Sequence, residues 1–600
     1  AQLYNQRENY NDNLNLLGNL YLDINFLKYF QFKTNVGVNV EDSGSKEFNP
    51  KTYWNKGDAN TLVNSLKEAR GRKSELVWNN TLTFTKKFRE THNLNVLLGT
   101  EAISSKIENL SAYRSNFIIE DPDYRYLDAG ESNKDNTGNA NEYALFSLFA
   151  RVNYQYKDKY YLGAIIRRDG SSRFGANHRY GYFPGVNAAW RLTEENFMKG
   201  QDILSDLKIR ASYGLTGNQD IDNYAFASMY YTNISTSSYP IAGDPNSVTQ
   251  GISKESIGNP DLKWETTTQT NIGIDAGLFN NKLNLSFDFY HKYTTDILQR
   301  ITYPSTGGVA SAPFMNIGEM QNNGYELNIN FQNTTDYGFR YELGLILSGY
   351  RNEVKKLASN QFISNTYTRT EVGHPISSFY GYVIDGIFQT QGEVDSHVEQ
   401  SDKAIGRWKY RDVNNDGKID SQDRAYIGNP HPDFEYSLSS RFYYKNFDLS
   451  LYIQGSQGND ICFASKGGRD GLDFWGDYFN KSTRILNTWT PENRNAELPE
   501  INILNPNDEA GKVSSYLIED GSYIRLKQLE LGYTLPKQTL SKIGLQQCRV
   551  YLNAENLLTL TKYNNIDPEV KNGDDKNMGV DYMNNMPLAR VFSIGFNLSF

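Results

Sequence analysis

Apolar and polar residues alternate along many stretches of the chain. The C-terminal stretch shows the pattern most clearly, with apolar residues at Phe592, Ile594, Phe596, Leu598 and Phe600. The same two-residue period recurs at 20–26, 207–213, 283–289, 325–331 and 447–454. Successive side chains of a β-strand point to opposite faces, so this period predicts strands with one apolar and one polar face. We count about 17 candidate strands, which predicts an all-β chain.

This alternation suits two architectures. In a soluble β-sandwich the apolar face contacts the core, whereas in a transmembrane antiparallel β-barrel it contacts lipid. The candidate strands run to about 9–11 residues, the length that crosses a bilayer when tilted, which favours the barrel. A large all-β surface protein is the alternative.

The connections also alternate between short and long, as in outer-membrane barrels. The short ones are 26–30, 156–160, 278–282 and 443–447. The long ones are Asn218–Leu262, Lys355–Asp433 and Asp460–Gly521. Soluble domains seldom carry several loops of such length. In a transporter, these loops would lie outside the cell and contact the transported molecule.

The last strand has a particular place in a barrel. A closed barrel has no free edge, so its terminal strand must pair with its first strand. The stretch VFSIGFNLSF at 591–600 would form that seam, with its apolar face towards lipid.

Composition supports a membrane protein without transmembrane helices. The chain has 43 Tyr and 31 Phe, and amphipathic Tyr suits membrane interfaces or sugar-binding surfaces. Mean hydropathy is −0.63, and we find no apolar run of about 18 residues, so membrane-spanning helices are not expected. The net charge of −9 is spread along the chain. We expect no nucleic-acid partner, because binding of nucleic acid needs clustered Lys and Arg.

Several longer stretches, taken in order, carry a family resemblance. They are YKDKYYLGAIIRRDGSSRFG (156–175), GYFPGVNAAWRLTEE (181–195), LKIRASYGLTGNQDI (207–221), NPDLKWETTTQTNIGID (259–275), NIGEMQNNGYEL (316–327), NTWTPEN (487–493), SYIRLKQLELGYTLP (522–536) and YLNAENLLTLTKYNNIDPEV (551–570). Over essentially the whole chain they resemble the SusC/RagA family of TonB-dependent outer-membrane transporters of Bacteroidetes.

The resemblance implies an architecture. Members of this family have a barrel of about 22 strands around a plug domain. Residues 1–600 resemble the C-terminal part of that barrel. The plug, a TonB-contacting segment and about five strands would precede residue 1. The last ten residues also resemble the C-terminal signal that marks outer-membrane barrels for assembly.

The resemblance also implies a function, which is active uptake of glycan or oligopeptide cargo across the outer membrane. The implied partners are a SusD-like surface lipoprotein that acts as a lid, TonB acting through the plug, the cargo itself and outer-membrane lipid. A passive porin or surface adhesin is the first alternative, favoured if no plug exists. A secreted all-β binding protein is the second, and it predicts solubility without detergent and no lipid-facing belt.

The sharpest local motif is DVNNDGKIDSQD at 412–423, which matches a calcium loop of EF-hand type. Gly417 stands where the loop needs a sharp turn, and Lys418 would contribute its backbone carbonyl. The side-chain oxygen ligands would come from Asp412, Asn414, Asp416, Asp420 and Asp423. The last position is Asp rather than Glu, and the flanking sequence is not helical. An Asx-rich turn without metal is therefore the alternative, and in either case the role is to order the loop.

No catalytic arrangement is present in the sequence, so we expect neither an enzyme nor an organic cofactor. The six His are scattered, and the chain lacks HExxH, GxSxG and phosphate-loop motifs. Cys462 and Cys548 are too far apart in sequence to indicate a disulfide framework or metal spacing.

Aromatic residues in the long loops could stack on sugar rings, contact a partner or pack against each other. They are Trp408, Tyr410, Phe474, Trp475, Tyr478 and Phe479. No single residue is assigned to substrate binding.

Overall fold

The computed structural model describes residues 9–52, 62–232, 237–240, 243, 248–300, 311–358, 362–472, 480–501, 509, 511–540, 544–570, 574–583 and 586–599. Its contacts divide the chain into two compact units. The first contains Ala1–Ala189, Ser212–Thr268 and Asp296–Asn316, and the second contains Trp190–Ala211, Gln269–Thr295 and Ile317–Phe600.

The first half of the chain is built from long strands joined by turns or by loops that contain short strands. Its strands are β1 (Tyr10–Phe26), β2 (Phe30–Asn49), β3 (Ser65–Phe88), β4 (His92–Phe117), β5 (Gly130–Tyr156), β6 (Tyr160–Ser171), β7 (Tyr180–Arg191), β8 (Leu204–Asn218), β9 (Met229–Tyr231), β10 (Ser238–Pro240), β11 (Val248–Gln250), β12 (Ser253–Ser256), β13 (Glu265–Leu278), β14 (Leu283–Arg300), β15 (Phe314–Thr334) and β16 (Phe339–Lys356).

The second half mixes long strands with many short ones. Its strands are β17 (Ile363–Ser364), β18 (Thr368–Thr370), β19 (Ser378–Tyr382), β20 (Ile384–Ile387), β21 (Trp408–Tyr410), β22 (Arg424–Gly428), β23 (Phe434–Tyr444), β24 (Phe447–Gln457), β25 (Asp460–Phe463), β26 (Ile518–Asp520), β27 (Tyr523–Thr534), β28 (Gln547–Thr561), β29 (Val580–Asp581) and β30 (Val591–Ser599).

Helices are few and short in the described part of the chain. The α-helices are α1 (Gln391–Ser396), α2 (Lys466–Arg469) and α3 (Lys537–Leu540), and the 3-10 turns are Pro122–Tyr124, Leu127–Ala129, Leu192–Glu194, Asn196–Met198, Ser421–Asp423, Thr483–Asn487 and Ser515–Leu517. None of these helices has the length and apolar character needed to cross a membrane.

Within the described residues, seventeen strands belong to one antiparallel sheet, which confirms the all-β prediction and the expected number of strands. In the first unit, β1 to β6 pair in sequence order. In the second unit the order is β15, β16, β23, β24, β27, β28 and β30. Within each of these two runs, every long strand therefore pairs with the next long strand along the chain.

The four predicted short connections are tight turns. Leu27 and Lys28 have φ of 49° and 66°, and Lys157 and Asp158 have φ of 53° and 56°. Positive φ at both central residues matches the twist of two paired strands. Aromatic rings flank these turns, as in the stacked pair Tyr156 and Tyr160, whose centroids lie 6.3 Å apart. The turns and their aromatic flanks fit a membrane interface.

Several strands are much longer than the predicted 9–11 residues. β3, β4 and β5 have 24, 26 and 27 residues. The prediction was wrong for these strands because about 9–11 residues is only the part of a strand that crosses the bilayer. The face of β3 that carries Leu82, Trp78 and Leu76 continues with Ser74, Arg72 and Arg70. The chain thus continues as paired strand beyond the apolar part.

The apolar face of the sheet is exposed. Leu20, Leu162, Leu552 and Ile594 are 78%, 56%, 57% and 64% exposed. A water-soluble protein rarely leaves rows of large apolar side chains uncovered, whereas lipid covers such rows in a membrane protein. This face argues against a secreted binding protein.

The last strand pairs with β28 through Val591–Ser599. Phe592, Ile594, Phe596 and Leu598 share its exposed apolar face, as the alternation predicted. Phe600 lies outside the described residues, and its place at a barrel seam stays a prediction.

Candidate functional site

The long connections of the second unit fold into an ordered structure, which we call the loop assembly. It comprises the described residues of 357–433, 458–522 and 562–590, and it contains β17 to β22, β25, β26 and β29. The first two connections were predicted as loops, but the third was missed. Its sequence signal is the stretch 571–589, which is rich in Asn, Asp and Gly and lacks alternation.

The three connections share one apolar core. Phe379 from the first connection packs with Cys462, Val513 and Leu517 from the second and with Val580 from the third. These five residues are at most 9% exposed. The loops therefore support each other instead of folding separately.

Backbone pairing joins the same connections. β25 pairs antiparallel with β26 and parallel with β29. The N–H of Tyr382 donates to the carbonyl of Val513 at 2.9 Å, and the N–H of Cys462 donates to the carbonyl of Gly579 at 2.9 Å. Because each bond joins two connections, opening one would leave polar groups of another unpaired.

Two buried ion pairs lie inside the loop assembly. Lys466 Nζ is 2.9 Å from Glu519 Oε1, and Arg407 Nε is 3.1 Å from Glu509 Oε1. Burial lowers the pKa of Lys466, although Glu519 acts to raise it. Burial also raises the pKa of Glu509, although Arg407 opposes this. A buried charge that loses its partner is costly, so these pairs specify how the loops pack.

Arg525 of β27 anchors the third connection. Its side chain is 3% exposed and lies 2.6 Å from an oxygen of Asp567 and 3.3 Å from one of Glu569. Lys527 Nζ is also 2.7 Å from Glu569. Burial acts to raise the pKa of Asp567, but hydrogen bonds from Arg525 and from backbone amides outweigh it, and that pKa lies below its ordinary value.

A small cavity of about 100 Å³ lies beside this anchor. Asp567, Glu569 and Asp581 line it, together with the apolar side chains of Met583 and Leu588. A cavity of this volume has room for ordered water. It is too small for an oligosaccharide or a peptide.

The loop aromatics divide into two groups. Trp408 is 2% exposed and Tyr410 is fully buried, and both pack in a cluster with Leu472. The ring centroid of Trp408 lies 4.8 Å from that of Tyr516. These two aromatics therefore pack within the loop assembly and do not present a face to cargo. The others, Phe474, Trp475, Tyr478 and Phe479, lie outside the described residues.

The calcium-like motif forms one compact turn between β21 and β22. Strands flank it, as expected, and the 3-10 turn Ser421–Asp423 forms its last residues. Asp412 accepts from the N–H groups of Asp416 at 3.3 Å and Gly417 at 3.0 Å. Asp423 is fully buried and accepts from the N–H groups of Val413 and Asp420. Gly417 has φ of 87°, the conformation that the motif assigns to it.

The donor set suits a hard cation, but its oxygens already have partners. Asn414 and Asp416 both accept backbone N–H groups within the turn. Lys418 Nζ lies 2.6 Å from an oxygen of Asp420. Across the described residues, no three or more His, Cys, Asp and Glu side chains are arranged to hold a metal ion. Calcium binding at 412–423 stays a prediction.

Charged networks occupy the polar face of the sheet. In the second unit, Arg210 donates to Asp275 at 2.9 Å and to Asp288 at 2.6 Å. In the first unit, Arg167 is 2.7 Å from Glu101 and 2.6 Å from Asp169. The alternation at 207–213 places Arg210 on a polar face. The sequence does not indicate its partners, because Asp275 and Asp288 lie on strands remote in sequence. The opposed faces suit a barrel with lipid outside and a polar interior.

Comparison with known proteins agrees with this architecture. A sequence profile described as "TonB dependent receptor-like, beta-barrel" matches residues 1–557. TonB-dependent receptor P3 of Formosa agariphila is 34% identical over 599 residues, which cover 97% of this chain and 58% of that receptor. TonB-dependent receptor SusC of Bacteroides thetaiotaomicron is 31% identical over 487 residues, covering 78% of this chain and 45% of SusC.

Solved structures give the same result. A structure of the RagAB peptide transporter superposes with a TM-score of 0.83 at 26% sequence identity, covering 99% of this chain and 62% of that chain. The RagAB peptide importer in its "closed-closed" state gives a TM-score of 0.82 at 26% identity, covering all of this chain and 63% of that chain. This chain spans less than two thirds of the length of these proteins.

The family is one of receptors and transporters, and its SusC and RagA relatives are outer-membrane proteins. The exposed apolar face, the charged polar face and the profile match all indicate an outer-membrane β-barrel. The chain is an outer-membrane protein that belongs to the TonB-dependent receptor-like β-barrel family.

Proposed function

We propose that this chain forms the wall and outer vestibule of a TonB-dependent transporter that takes up glycan or oligopeptide cargo. A SusD-like surface lipoprotein covers the vestibule, and TonB acts through a plug domain. The main support for this proposal is the structural similarity to the RagAB peptide transporter, which extends over 99% of this chain.

The loop assembly supports this function physically. A vestibule that binds cargo must present its contacts in one arrangement, because each side chain ordered on binding lowers the affinity. Shared core residues, cross-pairing strands and buried ion pairs hold the three connections in place before cargo arrives. The loop assembly also offers a preformed surface on which a lid could close.

Uptake by whole cells tests the proposal. Cells that carry the native full-length receptor and its lipoprotein would be given a mixture of oligosaccharides and oligopeptides, and depletion of each compound would be followed by mass spectrometry. We expect one chemical class to be depleted, and this depletion to disappear in a strain without TonB. Uptake that persists without TonB would instead favour a passive porin. Cell attachment without uptake would favour an adhesin.

We also propose that residues 412–423 bind Ca²⁺ and so order the connection between β16 and β23. Binding would require Asp420 to exchange Lys418 for the cation, while Asp412 and Asp416 supply further oxygens. Loops of this type in extracellular proteins bind with Kd of roughly 10⁻⁴ to 10⁻³ M. The site would be structural, because it would order a turn within the connection.

Calorimetric titration of the full-length receptor with Ca²⁺ tests this site. Asp412→Asn should weaken binding at least about tenfold, because it removes one carboxylate charge from the ligand set. Asp574→Asn is the matched control, since Asp574 also accepts backbone and side-chain donors within a loop turn. A wild-type receptor that binds no Ca²⁺ would leave the motif as an Asx-rich turn.

A further inference from the structure

A groove of about 530 Å³ crosses the apolar face of the first unit, over strands β3 to β6. Its floor is set by the pairing register. One row consists of Leu82, Leu98, Ala150 and Ile166, and the next consists of Asn80, Thr100, Leu148 and Arg168. The groove exists because Thr100 and Ala150 are small while Phe32, Ile166 and Tyr182 rise on its sides. We call this feature the apolar-face groove.

The apolar-face groove lies within the lipid-covered part of the sheet. On β4, the side chains of this face run from Leu94 to Ala102 before the polar residues Ser104 and Lys106 begin. Thr100 is eight residues from the start of β4 at His92. With a rise of about 3.4 Å per residue and a tilt of about 40°, Thr100 lies roughly 20 Å above the short turns. An apolar band about 25 Å tall therefore includes the groove.

Arg168 stands at one end of the apolar-face groove. Its guanidinium carbon lies 3.9 Å from the ring centroid of Tyr180 and 5.8 Å from that of Tyr182. Its Nε is buried, and no partner accepts a hydrogen bond from it among the described residues. Its sequence neighbour Arg167 points to the opposite face and pairs with Glu101 and Asp169. A cation on the lipid face is costly, so an arginine there calls for an anionic partner.

We propose that the apolar-face groove binds an outer-membrane lipid. Its acyl chain lies over Thr100 and Ala150, and its phosphate accepts hydrogen bonds from Arg168. A guanidinium offers five donors in a planar fork that matches phosphate oxygens. The groove volume falls within the range of sites that bury small ligands. The proposal rests on the membrane position of the chain and does not depend on which cargo is transported.

Charge complementarity selects lipid over a second copy of this chain. The groove is lined by apolar and uncharged polar residues and by Arg168, with no Asp or Glu among the described lining residues. A copy that presented the same groove would therefore bring no anion to Arg168. A phospholipid or a phosphorylated glycolipid of the membrane provides both the chain and the anion.

Lipid that co-purifies with the native full-length receptor tests the proposal. The receptor would be extracted from outer membranes in mild detergent, and bound phosphate-containing lipid would be counted by native mass spectrometry. Arg168→Gln removes the phosphate donor, and Ala150→Phe fills the groove. The matched controls are Arg151→Gln, which removes a guanidinium from the opposite face of the same sheet, and Ala164→Phe, which enlarges an exposed side chain of the apolar face outside the groove lining.

We expect roughly tenfold weaker lipid retention in Arg168→Gln and Ala150→Phe, with both controls equal to the wild type. Heat-modifiable electrophoretic mobility would verify that each variant is folded. Lipid retention that is unchanged in both groove variants would overturn the proposal. So would a dimer that dissociates in Ala150→Phe without loss of lipid, because the groove would then be an interface between copies.

Discussion

Phe379 packs against residues of the other two connections of the loop assembly. A single substitution at Phe379 can therefore loosen the contacts among all three connections. Phe379 is fully buried and contacts the core formed by Cys462, Leu517 and Val580. Its ring is also wedged against two backbones. A Cβ added at Gly428 or Gly579 would lie 3.0 Å or 3.1 Å from ring atoms of Phe379. Phe379→Ala should therefore leave a cavity that both backbones border.

The size of the effect follows from the packing. Truncating a buried phenylalanine to alanine lowers the free energy of unfolding by about 3–5 kcal/mol when the surrounding residues only partly fill the cavity. The apolar core of the loop assembly is small, so we expect this cost to appear as local opening and not as barrel unfolding. The lower figure corresponds to a roughly 100-fold larger opening constant at 25 °C.

Cys462 reports this opening directly. It is fully buried, and burial raises its pKa to about 12, so at pH 8 it is an inaccessible, protonated thiol. Alkylation of Cys462 in the native receptor, followed by peptide mass spectrometry, should be slow in the wild type and roughly 100-fold faster in Phe379→Ala. Phe592→Ala is the control, because Phe592 is 71% exposed on the lipid-facing side of β30.

An unchanged alkylation rate in Phe379→Ala would refute the shared core. Hydrogen exchange adds a second criterion. Protection should fall together in β19, β25 and β29, since the three strands come from the three connections. Loss of protection confined to β19 would mean that the connections fold independently.

Three further outcomes test other parts of the structure. Arg525→Met should leave Asp567 without its cation and Glu569 with Lys527 as its remaining cation. We expect it to destabilise the third connection by about 3–5 kcal/mol, measured by hydrogen exchange of 574–583. The pKa of Asp567 in the folded protein is lowered from its ordinary 3.8. The contribution of Asp567 to stability is therefore fully present above pH 3.8 and is lost as the pH falls through the folded-state pKa. Pepsin cleavage of the third connection should thus be constant from pH 5 to pH 4 and rise only below pH 3.8. Gly99→Val should displace the Phe149 ring, which lies 2.2 Å from an added Cβ, and lower barrel stability by about 1–3 kcal/mol in thermal unfolding of heat-modifiable mobility.

The strands could be predicted from sequence because their information is local. Alternation in Leu283–Phe289 or Phe592–Leu598 depends on one sheet face meeting lipid and the other meeting polar groups. The turns were equally visible, since Lys, Asn and Asp between aromatics allow positive φ at Lys157 and Asp158. Strand length was not visible, because polar pairs such as Arg70 with Asp12 continue the sheet without an apolar face.

The loop assembly could not be predicted, since its contacts join residues distant in sequence. Nothing near Phe379 indicates that Val580 will cover it, and nothing near Arg525 indicates Asp567. Trp408 and Tyr410 illustrate the limit, because an aromatic in a loop has the same sequence signal whether it stacks on cargo or packs inside. Arg168 shows a further limit, because only the strand register places it beside the apolar-face groove.

The most direct test of the proposed transport function is the mass of the native receptor complex, measured by native mass spectrometry after gentle extraction from outer membranes. We expect a polypeptide well above the 68.5 kDa of this chain, bound to a surface lipoprotein in equal amount. A polypeptide of 68.5 kDa that has no lipoprotein and conducts ions as an open pore would contradict the proposed TonB-dependent transport.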